Sequence, residues 1–517
     1  MISDFPFLIS GFPLLITAKI PFFLIACISF HISLAISSEF SHLGKIQTNL
    51  SCRVVFFTKF APLKKNMLHK LHRYRADYRN LISLALPIII GQLGGIITGL
   101  ADTLMVGWHS TEELAASSFV NNVINAFIIT GTGFSFGLTP LIGGELAQRR
   151  HWAVGRWLRN SLVANLTTAT LTVGILTIIY LNLDHMGQPE ELLPLIRPYF
   201  AIIMVSLVLL MAINAFRQFV EAISEPKVSM WILIVGNAFN IVGNYILIYG
   251  KCGMPELGLY GAGISTLISR IFMLLLFVVV FAVKRRYTPY RLGFLASRAD
   301  GASWRRLNAL GWPIGLQQGL EAGTFCLTAI MVGWLGSSAL AAHQIVLTIS
   351  TFSYTTFLGI GAAVAIRTGY FKGAGDWAQV RKVTVAGLHI GCVTAVAVCL
   401  ILWAVQGNIS SLFTSDLEVT AIVISLFPIV ILYQFFDCGQ IILANALRGL
   451  SDVKIIMWVS LVTNFLIAIP SGYLLGFPCG WGIRGVWMAY PIGFFFSVVL
   501  LGRRACRLMR SEKHTLS

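Results

Sequence analysis

Three carboxylates stand inside apolar runs, where an ionisable group needs a reason to be. Asp102 lies late in one run, in Gly99-Leu100-Ala101-Asp102-Thr103. Glu321 lies mid-run in Gln317-Gln318-Gly319-Leu320-Glu321, and Asp437 in Tyr433-Gln434-Phe435-Phe436-Asp437. A charge at mid-membrane costs about 2.5–3.5 kcal/mol on insertion scales, so each carboxylate calls for a buried partner or a function. Arg270 is the one arginine read here as lying inside a run, and it cannot serve all three. Tyr433 and Asp437 are one helical turn apart, as are Gln317 and Glu321, so each pair shares a helix face. A carboxylate beside a hydroxyl or an amide offers the hard oxygen ligands that suit Na⁺, and a buried carboxyl equally suits a proton. With aromatic faces from Phe325, Tyr433, Phe435 and Phe436, such a cavity would suit a lipophilic cation. Asn237, Asn240 and Asn244 add amides in another run, with Asn240 and Asn244 on one face. The expected role of such an Asn is a hydrogen bond to a neighbouring helix. His343 and His389 read as packing residues and Arg270 as structural.

The elements that hold these residues follow from composition. The 517 residues are 56% hydrophobic and only 11% charged, with a mean hydropathy of +0.79. A soluble domain carries roughly 25% charge, so lipid must be the solvent for much of this chain. The net charge of +17 lies in the polar gaps between apolar runs, with no basic stripe and interleaved aromatics, which argues against nucleic acid. The nine cysteines form no CxxC pair, so a metal site of that kind is not indicated. Cys326, Cys392, Cys399 and Cys438 read as small core residues.

A spanning helix needs about 20 mostly apolar residues. Twelve runs qualify: 82–106, 115–142, 157–183, 195–216, 228–249, 257–283, 307–332, 340–366, 383–406, 420–447, 453–475 and 481–502. Lys and Arg crowd the segment before the first run, the second, sixth and eighth gaps and the tail. The odd-numbered gaps are nearly bare, so the positive-inside rule places both termini in the cytoplasm. Gly107-Trp108 recurs as Gly333-Trp334 and Leu114-Ala115-Ala116 as Leu340-Ala341-Ala342, both at one and the same offset. Asn214-Ala215 with Arg217 recurs as Asn445-Ala446 with Arg448, at nearly that offset again. The expected fold is therefore an all-α polytopic membrane protein, with twelve helices in two pseudo-symmetric six-helix bundles around a cleft. The expected domains are an N-terminal extension and basic segment (1–79), a first lobe (80–283), a basic linker (284–306), a second lobe (307–502) and a tail (503–517). The apolar stretch at about 5–36 has no place in the repeat, and Met67 reads as an ordinary start. Residues 1–66 are thus expected to come from an upstream start, which mass spectrometry of the amino terminus would decide.

With these residues in place, the chain from about 80 to 505 resembles the multidrug and toxic compound extrusion (MATE) transporters, NorM-like branch. The resemblance rests on Leu100-Ala101-Asp102-Thr103 before Gly107, Pro226-Lys227 before the Asn-rich run, and Asn240 with Asn244-Tyr245. It continues in Ala341-Ala342-His343-Gln344 and in Phe436-Asp437 with Gln440, then Leu447-Arg448-Gly449 and Asp452. It implies a V of two bundles that exports small organic cations, such as drugs and dyes, in exchange for Na⁺ or H⁺. By the same resemblance Asp102 is the carboxylate of the first lobe. Glu321, Asp437 and Tyr433 form the coupling and substrate site of the second, where Na⁺ would bind, and Gln317, Asn240 and Asn244 support these groups. Some relatives carry an acidic residue where this chain has Asn244, which favours the second lobe for coupling. No catalytic residue and no cofactor is expected, and the protein is read as a monomer of the bacterial inner membrane, in contact with lipid. The alternatives are a lipid-linked saccharide flippase or a narrow metabolite exporter of the same superfamily. A flippase would want a strongly cationic cleft, whereas the intramembrane balance here leans acidic. The runs carry no HExxH and no GxSxG with a partner His, which argues against an intramembrane enzyme.

Overall fold

The computed structural model describes residues 50–405 and 416–514, which are helical between turns with no strand among them. The apolar stretch at 5–36 lies outside the described residues. The chain divides at Arg73, and the unit Tyr74–Ser517 carries every candidate residue. The described helices are α1 (Leu50–His109), α2 (Thr111–Ser135), α3 (Leu138–Ala147), α4 (His151–Leu181), α5 (Leu193–Ala222), α6 (Pro226–Ile248) and α7 (Gly258–Val283). After them come α8 (Thr288–Ala296), α9 (Gly301–Gly333), α10 (Ser337–Gly373), α11 (Trp377–Val405) and α12 (Leu417–Gly449). The last are α13 (Val453–Ser460), α14 (Ile469–Gly476), α15 (Gly482–Trp487) and α16 (Ala489–His514).

Among the described residues, eleven helical segments are long and apolar enough to cross a membrane. They match eleven of the twelve expected runs. The remaining run, 307–332, does form a helix, the 33-residue α9, but Gln317, Gln318 and Glu321 dilute its apolar character. The polar groups of the candidate site are thus what hide this span from a hydropathy count. Three runs are also less regular than expected. The second breaks between α2 and α3, the eleventh passes through a π-helical stretch at Leu461–Ala468, and the twelfth breaks between α15 and α16.

The backbone repeats as the sequence does. Left-handed residues end matching helices at Arg149 and Gly375, 226 residues apart, and again at Ser224 and Ser451, 227 apart, so the helix ends set Arg448 against Glu221 where the sequence match had set it against Arg217. Packing differs between the two ends of the molecule. At the end bearing the basic gaps, one core joins both halves, with Phe134, Phe136 and Leu138 against Leu310, Ile314, Leu443 and Leu447. At the other end the cores are separate, one built from residues such as Val120, Leu176, Phe200 and Leu259, the other from Val346, Leu426, Trp487 and Phe494. The cleft therefore opens away from the basic end.

Glycines set how closely the halves approach at the closed end. A Cβ on Gly137 would lie 2.9 Å from the Gly311 nitrogen, and one on Gly143 2.9 Å from the Gly369 carbonyl carbon. On Gly373 it would lie 2.5 Å from the Gly144 Cα. The backbones of α2–α3 and of α9–α10 touch directly, as small residues permit inside membranes. The chain breaks its helix at this seam, where the Phe136 and Gly137 amides donate to the Gly133 and Phe134 carbonyls (3.2 and 3.1 Å).

The basic linker is tied to the first half. Glu225, between α5 and α6, pairs with Lys284 and Arg286 and accepts a hydrogen bond from the Tyr287 hydroxyl at 2.6 Å. Burial works to raise this carboxyl, but the hydrogen bonds from Lys284 and Tyr287 and the charges of Lys284 and Arg286 outweigh it and hold it below its ordinary 4.5. A carboxyl depressed in the folded state contributes stability above its unfolded pKa and loses it as pH falls through the folded value. The seam and the clamp can each be tested by melting. Gly137→Ala should cost about 1–3 kcal/mol of thermal stability through overpacking, while Gly95→Ala, with no atom within 4 Å of the new Cβ, should be silent; equal melting temperatures would contradict the seam. Thermal midpoints should drop as pH falls below 4.5, and Glu225→Gln should flatten that part of the profile; an unchanged acid slope would count against the clamp.

Candidate functional site

The second half gathers its polar groups between α9 and α12. Gln317 lies one turn before Glu321, so its amide Nε2 reaches down the helix and donates to Glu321 Oε1 at 2.7 Å. From α12, Gln440 Nε2 donates to the same oxygen at 3.2 Å, and Gln440 Oε1 accepts from Ser497 of α16 at 3.0 Å. Asp437 lies one turn before Gln440. Tyr433 and Gln440, each one turn away on α12, are its electrostatic neighbours together with the charge of Glu321. Its Oδ2 is buried with no partner, as is Gln317 Oε1. Asp437 is 1% exposed and Tyr433 2%. Gln440 thus links Glu321 to the helix of Asp437, at an interface where Asp437 is buried and Glu321 half-buried.

A small cavity opens beside Glu321, lined by Gln317, Gln318, Tyr354, Gln440, Asn445 and Arg448 among others. Asp437 and Tyr433 are not among its lining residues. The aromatic border differs from expectation. Phe325 stacks on Tyr490 at 5.0 Å, Phe436 lies edge-on to Phe495 at 5.5 Å, and Tyr433 packs on Tyr490 and Phe494. These three rings are taken up by the rings of α16, and Tyr354 is the aromatic side chain on the cavity. No group of three or more His, Cys, Asp or Glu residues fit to hold a metal occurs among the described residues. Na⁺ at this place would take its oxygens from Glu321, Asp437 and the neutral Tyr433 and amide groups.

The first half holds a separate arrangement. Asn244 Nδ2 donates to Asp102 Oδ1 at 2.5 Å. Arg270 Nη1 donates to Ser206 Oγ at 2.5 Å, and its charge is felt at Asp102. Asn240 shares a helix with Asn244 but turns to α7, where its amide faces Thr266 and Ser269 at 3.4 Å each. Asp102 and Asn244 therefore pair, Asn240 supports the helix packing, and neither joins Glu321 and Asp437. His389 Nδ1 meets the Tyr78 hydroxyl at 2.8 Å, while His343 sits edge-on to Trp487 at 5.4 Å. Cys326 is exposed, contrary to its reading as a core residue, whereas Cys399 and Cys438 are buried.

Three residues of the site escaped the sequence reading. Gln440 was visible as the residue one turn beyond Asp437, on the same face. Tyr354 carries no local signal. Arg448 was read as lying just past the end of its run, but α12 continues to Gly449 and leaves Arg448 only 3% exposed. Arg270 is therefore not the only arginine within the spanning helices.

Comparison with known proteins agrees with this architecture. The MatE family model matches the chain twice, at residues 87–246 and 313–474. The multidrug resistance protein NorM of Vibrio cholerae is 28% identical over 448 residues, which is 86% of this chain and 98% of the relative. The multidrug resistance protein MdtK of Edwardsiella ictaluri is 29% identical over 458 residues, 86% and 98% of the two chains. Among solved structures, a eukaryotic MATE transporter superposes with a TM-score of 0.77 at 19% identity, covering 86% of this chain and all of that one. An outward-facing MATE transporter of the MOP superfamily gives 0.77 at 19% identity, over 84% and 97%. With its family model matched in both halves, the chain belongs to the MatE family.

Proposed function

We propose that this protein is a secondary active multidrug efflux transporter, which exchanges small organic cations for Na⁺ or H⁺ by alternating access. The observation that carries the reading is the neighbouring pair of carboxylates Glu321 and Asp437, with Gln440 donating to Glu321, at a helix interface beside a cavity. A buried and a half-buried carboxylate without a salt bridge, both within spanning helices, are a site in need of positive charge. A bound Na⁺ or proton would supply it in one state and the organic cation in another. Competition for the same carboxylates gives the negative linkage that antiport requires. The names of the NorM and MdtK relatives support a multidrug substrate range.

In this reading the two lobes (80–283 and 307–502) rock about the glycine seam, with Asp102 and Asn244 a second polar station in the first lobe. The basic gaps support a bacterial inner-membrane protein with both termini cytoplasmic, and the open cleft then faces outward. The transporter acts as a monomer surrounded by lipid, and neither a catalytic residue nor a resident cofactor is needed. Glu321→Gln and Asp437→Asn should each lower resistance to cationic drugs and dyes by about tenfold or more in cells, with protein levels in the membrane unchanged. Full resistance in both variants would sink the site.

A further inference from the structure

Arg448 is a buried guanidinium with an unusual set of neighbours. It is 3% exposed, and its Nη1 donates to Asn445 Oδ1 at 2.9 Å. Its Nε is buried with no partner, and it enters no ion pair within 4.0 Å among the described residues. The guanidinium carbon lies 4.6 Å from the ring centroid of Phe136. That ring belongs to the other half of the molecule, at the helix break beside Gly137, where the seam is tightest. On its other side Arg448 lines the same cavity as Glu321, and the two charges interact.

The repeat shows that this arrangement is special to one half. The matching helix ends at Ser224 and Ser451 place Arg448 at the position of Glu221, an acidic residue that accepts from Arg217 Nε at 2.8 Å. Asp452 matches Glu225, and both are held by basic residues, Asp452 by Arg504 at 2.6 Å. The second-half position that matches Phe136 is Ala362, which offers no ring. The first half therefore has no equivalent of a buried arginine against an aromatic ring. Arg448 is left between the Glu321 cavity and the face of Phe136 across the seam.

We propose that Arg448 is a positioning residue, which makes closure of the seam between the lobes depend on the negative charge at Glu321. While Glu321 is charged, it is the counter-charge that lets Arg448 stay buried against Phe136. When that charge is removed or covered by a cation, Arg448 is a buried charge held only by an amide and a ring. An uncompensated buried charge is strongly destabilising. Parting Phe136 from Arg448 admits water to the guanidinium, so the seam opens. Loading the cavity and opening the opposite end are then one event. This inference rests on the alternating-access reading, but it concerns the seam and is measured there.

The test is a distance between spin labels across the seam, at Gln148→Cys and Ala374→Cys, both exposed, in full-length protein lacking its other reactive cysteines. Glu321→Gln should raise the ratio of open to closed seams by about tenfold. Adding Arg448→Met to Glu321→Gln should return the closed distance, because no buried charge remains to be relieved. A merely structural arginine would not rescue in this way. Phe136→Leu, which alters no charge, should open the seam as well. An unchanged distance in Glu321→Gln or in Phe136→Leu, or a double variant as open as Glu321→Gln, would overturn the proposal. Efflux of a cationic dye is followed in parallel. Seams that respond in a protein without efflux would sink the transport reading and leave Arg448 its role, while efflux with unresponsive seams would sink the role alone.

Discussion

A charge held inside a low-dielectric helix bundle must be answered by another charge, by hydrogen bonds or by water, and most of the polar architecture here follows from that requirement. Asp102 is answered by Asn244 and by the nearby Arg270. Glu321 is answered by two glutamine amides, one from its own helix and one from α12. Asp437 is answered least, with one oxygen left unpartnered at 1% exposure. The incompleteness of the last two, beside a cavity, sets the proposed loading site apart from a structural ion pair such as Arg217–Glu221.

The second constraint is steric. Glycine against glycine lets α2–α3 and α9–α10 meet backbone to backbone at one end of the molecule. At the other end each half keeps its own apolar core. Well-packed interfaces tend to have discrete arrangements rather than a continuum, so a seam of this kind suits two states better than gradual bending. The site lies at the inner wall of that seam. Gln318 approaches Gly133 there, and Arg448 meets Phe136.

Much of this was legible in the sequence, because apolar run length, gap charge and the repeat are local patterns. Gln317 with Glu321 and Tyr433 with Asp437 were found from helical spacing alone. What stayed hidden depended on which helices meet. Asn240 and Asn244 share a face, yet only Asn244 reaches Asp102, because α6 lies between α1 and α7 in its polar contacts. Phe325 and Phe436 read as part of a cage for a cation but pack on Tyr490 and Phe495, since helical periodicity places a residue on a face without naming the neighbour. Arg448 was missed because an arginine at the end of a run reads as interfacial charge, and only the packing of α12 against the first half shows it buried. Span α9 shows the converse: its low apolarity comes from the site residues themselves.

In the proposed cycle Glu321 and Asp437 exchange an organic cation for an inorganic one. This exchange is tested by flux of a fluorescent lipophilic cation in proteoliposomes, with Na⁺ and pH gradients imposed separately. Cation movement should be driven by at least one of the two gradients, with a reciprocal flow of that ion, and both flows should be lost in Asp437→Asn. Cation movement that ignores both gradients, or that persists unchanged in Asp437→Asn, would contradict it.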